Sequence, residues 1–464
     1  MNPLLLIPDG VGVRNFVIGR FLQQASGLGR THALHAIPDH QLSIFRDESN
    51  RDVSWHSLLP QSDRPLSFVL RQCLSYAQMY WVDSFPMRRN RQRPIKGSWR
   101  TQIALRTARL IGRAASYPRG IQFLDRLHAL AASRQPEVEH YRRLFREIKP
   151  SVLFCSHQRP PNILAPVLAA HSLGIPTATF IFSWDNLSSK GRIAAPFDHF
   201  LVWSDHMQRE LLHFYPDVTA DRVHVVGTPQ FDPYGDAGLL WSREEFCRQI
   251  GGDAQRQLIC YSGGDVGNSP EDPQHLTTLL EQIRAGRIRN NPQVLLRPCP
   301  VDDGSRYAPV RAAFPELIHA QPAWIHKQHG DWSQVMPSPE DVRFLANLTY
   351  HADLNVNFGS TMTLDFAIRD KPVVNVVFDV SRPPVYGMPM WEYLRQYEHY
   401  RPVIDLGAAR MARSPDELAE HVNAYLTDPK LDQDNRRQFV DLEVGAPVGD
   451  AGRRILETLA KISR

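Results

Sequence analysis

Short apolar segments alternate with polar loops and helix-like stretches along most of the chain. Residues 3–7, 151–155, 177–182 and 199–203 are largely apolar, and each run precedes a polar loop. Strands of a parallel sheet are covered on both faces, so they are expected as nearly continuous apolar runs. The strand–helix–strand order therefore predicts an α/β protein built on parallel sheets with helical crossovers.

The same alternation restarts after a Pro- and Gly-rich segment at residues 228–235, which predicts a second doubly wound half. The strands predicted in this half are 257–262, 293–297, 353–357 and 372–377. We predict an N-terminal acceptor-binding domain over 1–235 and a C-terminal nucleotide-sugar-binding domain over 236–440. The last segment, 441–464, is expected to be a C-terminal helix that could pack back on the N-terminal domain.

Residues from about 60 to 150 interrupt the N-terminal half and are rich in Arg, Leu and Ala. They predict a helical insertion, since ordinary loops in such folds have 2–6 residues. The chain has 464 residues, 42% of them hydrophobic, which predicts a folded protein of two domains. It has no run of 18 apolar residues, no signal-peptide pattern and five dispersed cysteines. Reduced thiols and a cytoplasmic protein are expected.

Polar residues that could carry chemistry follow several predicted strands, at the sheet edge where open parallel sheets bind ligands. Asp9 follows the first strand, His157 follows the strand at 151–155, and Asp185 lies in the polar loop 183–191. The alternatives are a structural turn for Asp185 and a structural histidine for His157.

An anion site is predicted where the sequence Gly-Ser-Thr precedes a helix in the second half. Ser360 and Thr361 would place two hydroxyls beside the free N–H groups of the helix start. Arg297 ends another strand with a cation suited to phosphate, and Gly263-Gly264 would allow close backbone approach. The alternative is an ordinary Ser/Thr helix cap.

Two segments resemble a known superfamily. The segment 339–378, which includes HADLNVNFGSTMTLDFAIRDKPVVNVVF, resembles the donor half of GT-B glycosyltransferases and of related CDP-glycerol glycerophosphotransferases. VVGTPQFDPY at 225–234 resembles the linker before their C-terminal domain. The resemblance covers roughly residues 150–400. Cys299-Pro300 stands where polyol-phosphate transferases often have His-Pro, which favours a sugar transferase.

The resemblance implies two Rossmann-like domains (GT-B) with the active site in the cleft between them. The implied reaction is transfer of a sugar from a nucleotide-sugar to a glycan or lipid-linked hydroxyl, with inversion, in bacterial surface-polysaccharide synthesis. Asp9 is the preferred general base, followed by Asp185 and then His157. Asp365 or Glu340 is expected to bind sugar or ribose hydroxyls.

The resemblance also implies that no metal is needed, since helix dipoles and cations neutralise the leaving diphosphate in this class. No cofactor is expected, and the nucleotide-sugar is the donor substrate. No nucleic-acid partner is expected, because the net charge is only +4. A nucleotide-sugar 2-epimerase, a polyol-phosphate transferase and a non-enzymatic sugar-binding protein remain as alternatives.

A basic segment over 88–113 contains nine Lys or Arg residues and no Asp or Glu. It predicts a peripheral contact with an anionic membrane at the inner face, which would bring the enzyme to a lipid-linked acceptor. The alternative is a solvated helix that packs its apolar stripe on the N-terminal domain.

Overall fold

The computed structural model describes residues 1–46, 50–61, 63–326 and 335–464. Residue 62, inside the predicted insertion, lies outside the described residues. The chain forms two compact units. Unit 1 comprises Met1–Asp232 and Glu443–Arg464, and unit 2 comprises Pro233–Leu442.

Unit 1 is built on one seven-stranded sheet in which every neighbouring pair is parallel. Its strands are β1 (Pro3–Ile7), β2 (Thr31–His35), β3 (Val53–Ser57), β4 (Val152–Cys155), β5 (Thr177–Phe180), β6 (His199–Val202) and β7 (Val223–Val225). The spatial order is β3-β2-β1-β4-β5-β6-β7. The order reverses between β1 and β4, which is the switch point of a doubly wound sheet.

Helices cover this sheet and form the insertion between β3 and β4. They are α1 (Gly10–Gly12), α2 (Phe21–Ser26), α3 (Asp39–Phe45), α4 (Pro65–Val82), α5 (Phe85–Gln92), α6 (Trp99–Ala114), α7 (Pro118–Ala132), α8 (Pro136–Ile148), α9 (Leu164–Ser172), α10 (Asn186–Ser189) and α11 (Asp205–Phe214). The insertion comprises α4–α8, which confirms the predicted helical character. Its own small core joins α4, α6 and α7 through Leu74, Ala108 and Leu124.

Unit 1 differs from the sequence prediction in several places. The residue pattern over 14–26 predicts one helix, but the structure has a π-helical turn over Val13–Val17 followed by α2. Gly19 has a φ of +112° between them, a conformation that ends a right-handed helix. Strand β2 was missed because its two histidines, His32 and His35, hide the apolar run, although all five of its residues are buried.

Unit 2 has a six-stranded sheet, parallel throughout, in the order β10-β9-β8-β13-β14-β15. Its strands, together with a separate antiparallel pair β11–β12, are β8 (Leu258–Ser262), β9 (Gln293–Arg297), β10 (Ile318–His319), β11 (Ile325–His326), β12 (Val335–Met336), β13 (Leu354–Asn357), β14 (Val373–Val376) and β15 (Arg410–Ala412). The order reverses between β8 and β13, so this unit has a switch point of its own.

The helices of unit 2 lie in the crossovers and at its C-terminal side. They are α12 (Arg243–Ile250), α13 (Asp272–Arg284), α14 (Ala308–Ala313), α15 (Pro339–His351), α16 (Met362–Ile368), α17 (Met390–Arg395), α18 (Arg401–Asp405), α19 (Pro415–Thr427) and α20 (Gln433–Glu443). One buried cluster joins the sheet to α13 and α19 through residues such as Tyr261, Leu279 and Val422. The two doubly wound, Rossmann-like units match the predicted fold class.

The last helix, α21 (Ala451–Ile462), belongs to unit 1. Its apolar side is buried through Ile455, Leu456 and Leu459. Its first turn is held by Asp232, whose two carboxylate oxygens accept the backbone N–H groups of Ala451 at 3.0 Å and Gly452 at 2.9 Å. A side chain more than 200 residues away in sequence therefore satisfies the free donors of this helix end.

Replacing Asp232 with Ala should loosen α21, because it removes both acceptors from the start of the helix. We expect a loss of about 2–4 kcal/mol in the free energy of unfolding of unit 1. Thermal unfolding and protease release of the C-terminal segment would measure it. Asp450→Asn is the control, since Asp450 is exposed and its carboxylate pairs with Arg453 of the same helix. Equal stability of D232A and the wild type would contradict this role.

Candidate functional site

Asp9 and His157 meet at the switch point of unit 1. Asp9 directly follows β1 and His157 follows β4, and these two strands are neighbours in the sheet. The Nδ1 atom of His157 lies 2.6 Å from Oδ2 of Asp9. Both residues are buried, with 2% exposure for Asp9 and 7% for His157. The structure thus joins two residues that the sequence analysis named separately.

The loop after β1 fixes the position of Asp9. Its Oδ1 accepts the backbone N–H of Gly12 at 3.2 Å and so caps the short helix α1. A Cβ at Gly12 would collide with the Ser156 hydroxyl, so only glycine lets this loop lie so close to the end of β4. Ser156 in turn donates to the Leu6 carbonyl at 3.1 Å, which ties the two strand ends together.

This arrangement favours His157, rather than Asp9, as the proton acceptor. When Asp9 accepts the Nδ1–H of the imidazole, the basic lone pair lies on Nε2. That Nε2 has no hydrogen-bond partner within the described part of the chain. A carboxylate that orients a histidine in this way also stabilises the cation formed when the imidazole takes a proton. The sequence analysis had ranked Asp9 first and His157 third.

Asp185 instead organises its own turn. Its carboxylate accepts the Asn186 side-chain amide at 3.0 Å and the Ser189 hydroxyl at 2.9 Å, and Lys190 lies 3.4 Å away. These contacts correspond to the structural alternative for this loop. The neighbouring Trp184 is only 3% exposed, so its ring does not present a stacking surface for a sugar.

Ser360 and Thr361 lie at the switch point of unit 2, just after β13 and at the start of α16. The backbone N–H of Ser360 donates to Oδ1 of Asn357 at 2.9 Å, and the Ser360 hydroxyl accepts from the N–H of Met362 at 3.3 Å. Thr361 is the N-cap residue of α16. Both hydroxyl residues are partly exposed.

A buried network of asparagines, which the sequence analysis did not identify, holds this turn. Asn357 donates to Asn355 at 2.6 Å and to Thr363 at 3.1 Å, and Asn375 donates to Asn357 at 3.0 Å. Tyr400 donates to Asn375 at 2.8 Å. All five side chains are fully buried. The signal was available in the sequence, because asparagine interrupts the apolar strands LNVN and VVNV.

The glycines after β8 serve packing within unit 2. A Cβ at Gly263 would collide with the hydroxyl of Tyr307, and one at Gly264 would collide with the hydroxyl of Ser269. The N–H of Gly264 also donates to the buried carboxylate of Asp272 at 2.7 Å. Glycine is therefore required here for protein contacts, whatever ligand approaches the loop.

Arg297 forms an internal ion pair, which differs from the free cation expected from the sequence. One of its guanidinium nitrogens lies 3.0 and 2.9 Å from the two oxygens of Asp341, and both side chains are 6% exposed. Asp341 also accepts the indole N–H of Trp324 at 2.7 Å. Asp341 belongs to α15 and lies 44 residues from Arg297 in sequence. A local sequence pattern therefore does not predict this ion pair.

The two acidic residues expected near the sugar occupy different environments. Asp365 is 3% exposed, and its Oδ1 accepts the hydroxyl of Tyr234 at 2.5 Å. Glu340 is exposed in the first turn of α15. Asp365 thus has a hydrogen-bond partner inside unit 2. Glu340 is exposed to solvent and is not one of the buried residues around Asn357.

A separate cavity of about 820 Å³ lies in unit 1 between the insertion and α9. It is lined by the buried Arg192 and by Asp125 and Asp217, which pair with that arginine. Among the described residues that line it, none is a site residue predicted from the sequence.

Comparison with known proteins identifies the fold class. No family model matches the sequence, and no curated protein matches it significantly. A UDP-GlcNAc 2-epimerase from Neisseria meningitidis is similar in structure, with a TM-score of 0.52 and 10% identity over 99% of this chain and 100% of that one. A glycosyltransferase from Rickettsia africae has a TM-score of 0.52 and 11% identity over 99% of this chain and 98% of that one. A UDP-N-acetylglucosamine 2-epimerase from Rickettsia bellii has a TM-score of 0.52 and 10% identity over 100% of this chain and 95% of that one.

These similarities show that the chain has the GT-B architecture of two Rossmann-like domains. At identities of 10–11%, structural similarity establishes the fold but not the reaction. The more specific resemblance to CDP-glycerol glycerophosphotransferases stays a prediction, because the comparisons extend only to the shared fold.

Replacing Arg297 with Gln should lower the stability of unit 2, since it leaves Asp341 buried without its ion-pair partner. Removing one member of such a pair costs about 3–5 kcal/mol. Calorimetric unfolding would measure the loss, and R297Q/D341N should recover part of it. A variant with unchanged stability that loses only affinity for a nucleotide diphosphate would instead support the phosphate role predicted from the sequence.

Proposed function

We propose that this protein is an enzyme that acts on a nucleotide-sugar, with His157 as its general base and Asp9 as the residue that positions it. The observation that carries the proposal is the 2.6 Å contact between their side chains at the switch point of unit 1. Ligands bind at such switch points in open α/β sheets.

Two reactions suit a base of this kind. In glycosyl transfer, His157 would take the proton of an acceptor hydroxyl, because an alcohol is a weak nucleophile at neutral pH. In 2-epimerisation, it would take the proton from carbon 2 of the sugar while the bond from carbon 1 to the nucleotide diphosphate breaks, so that a C1–C2 double bond forms. The diphosphate would then add back to carbon 1 as a proton is delivered to the opposite face of carbon 2. Only the first reaction needs a glycan or lipid-linked acceptor.

The structural comparisons favour epimerisation over the glycosyl transfer that the sequence analysis preferred. Two of the three similar structures described above are UDP-GlcNAc 2-epimerases, and one is a glycosyltransferase. Glycosyl transfer retains the support of the sequence resemblance over 339–378. UDP-GlcNAc is accordingly the first substrate to test, and both reactions are candidates for it.

For the diphosphate of the nucleotide we propose Ser360 and Thr361. Their hydroxyls lie at the start of α16, where the positive end of the helix dipole favours an anion. The buried Asn357 fixes the turn by accepting the N–H of Ser360, so the hydroxyls are held in place before a ligand binds.

Incubation of the protein with UDP-GlcNAc and other nucleotide-sugars in D2O would separate the two reactions. A 2-epimerase should form the C2 epimer without an acceptor and incorporate deuterium at carbon 2, both visible by NMR. A glycosyltransferase should release the nucleotide diphosphate only when an acceptor is added. Neither product from any donor in the panel would contradict the proposed function.

His157→Ala should lower turnover by about 10²–10⁴-fold, because it removes the proton acceptor. Asp9→Asn should also lower turnover and shift its pH profile, since Asn cannot stabilise the imidazolium. Nucleotide binding, measured by calorimetry, should persist in both variants. His213→Ala is the matched control, since His213 is exposed in the last turn of α11. If Asp185→Asn abolishes turnover while H157A remains active, the base belongs to the 183–191 loop.

Ser360→Ala combined with Thr361→Ala should weaken binding of UDP by about 1–3 kcal/mol, the range for hydrogen bonds to a charged group. Isothermal titration calorimetry with free UDP would measure the change. Thr427→Ala, at the exposed end of α19, is the control for loss of a threonine hydroxyl. An unchanged dissociation constant in the double variant would exclude these hydroxyls as phosphate ligands.

A further inference from the structure

The outer face of α6 exposes large apolar side chains that no part of the proposed site uses. Trp99, Ile103 and Leu110 are 68%, 54% and 71% exposed. At 100° per residue these three positions lie within about 40° of one another around the helix. They share one side of the helix, which we call the α6 face.

The packing of α6 does not require these residues. Its opposite side, with Ala108 and Gly112 fully buried, lies against α4. Gly112 sits so close to α4 that a Cβ there would come within 2.7 Å of the Cys73 carbonyl oxygen. Small residues thus bring the two helices together, while the large apolar ones point to solvent. Exposed apolar surface of this kind marks an interaction site.

The α6 face lies in a sequence segment that is rich in basic residues and contains no acidic ones. Between Asp83 and Asp125 the sequence contains ten Lys or Arg residues and no Asp or Glu. Arg100, Arg106 and Arg113 of α6 are all exposed. Arg106 and Arg113 fall on the same side of the helix as the apolar stripe, within about 40° of it.

Three of the basic residues in the segment 88–113 have hydrogen-bond or ion-pair partners within the protein. Arg88 and Arg91 are engaged with Asp83, and Arg91 additionally donates to the Met79 carbonyl at 3.0 Å. Arg109 points inward and donates to the Tyr80 hydroxyl at 3.2 Å. These three arginines therefore have protein partners.

Helix α7 repeats the pattern of α6. Phe123 and Leu130 are 61% and 56% exposed, while Ile121 and Leu124 on the other side are buried in the core of the insertion. Arg119 and Arg126 lie within about 60° of the exposed apolar pair around the helix. Two consecutive helices thus each present apolar and basic side chains to solvent together.

We propose that the α6 face, together with the exposed side of α7, docks on the surface of an anionic lipid bilayer. Apolar side chains that enter the acyl boundary, among arginines that meet anionic headgroups, are the pattern of a helix lying in the membrane interface. No helix in the described ranges is long and apolar enough to cross a bilayer.

Vesicle sedimentation with the full-length protein tests the proposal. Binding should require anionic lipid, such as phosphatidylglycerol mixed into phosphatidylcholine vesicles, and should fall as salt rises. W99S/I103S/L110S should lose binding even at low salt. R100Q/R106Q/R113Q should weaken binding by about 10²-fold, because each arginine near an anionic surface contributes roughly fivefold.

The control L28S/I44S removes two other exposed apolar residues of unit 1 and should bind vesicles as the wild type does. All substituted positions are exposed, and circular dichroism and the unfolding temperature would verify the fold.

Binding that is equal in neutral and anionic vesicles, or unaffected by both α6 variants, overturns the proposal. A change in oligomeric state with W99S/I103S/L110S, without vesicle binding by the wild type, would make the α6 face a protein interface instead. The assay does not use enzyme activity, so its outcome is independent of the proposed reaction.

Discussion

Parallel pairing throughout both main sheets is the constraint on which the candidate sites depend. In a parallel sheet the carboxyl ends of all strands lie at one edge, and a reversal of strand order opens a crevice there. The reversal at β1 and β4 brings Asp9 to His157 in unit 1. The reversal at β8 and β13 places the glycines after β8 and the hydroxyls of Ser360 and Thr361 on adjacent strands of unit 2.

Buried polar groups then fix the geometry at these strand ends. A buried donor or acceptor without a partner costs about 1–3 kcal/mol, so each such group restricts the conformations of its neighbours. Asn357 accepts from both Ser360 and Asn375, and any movement of the turn would break these bonds. The carboxylate of Asp9 holds both the N–H of Gly12 and the ring of His157, so one residue orders a loop and orients an imidazole.

The helical insertion follows a different physical rule. Its helices pack through small residues such as Ala108 and Gly112, which leaves the side chains of Trp99 and Leu110 exposed. Exposed apolar side chains are unfavourable in water. Insertion of these side chains into a lipid interface would remove that free-energy cost. The proposed membrane contact would place the enzyme beside substrates at that surface, whichever of the two reactions it performs.

The sequence alone determined the α/β class, the two doubly wound halves and the helical insertion, because alternating apolar runs and helical spacing are local properties of the chain. It also indicated which residues follow strands, and hence Asp9, His157, Ser360 and Thr361 as candidates. It could not show that Arg297 pairs with Asp341, that Trp184 is buried or that the Asp185 carboxylate accepts hydrogen bonds from side chains of its own turn. Those facts depend on side chains brought together from distant positions, and only the tertiary structure decides which buried charge meets which partner.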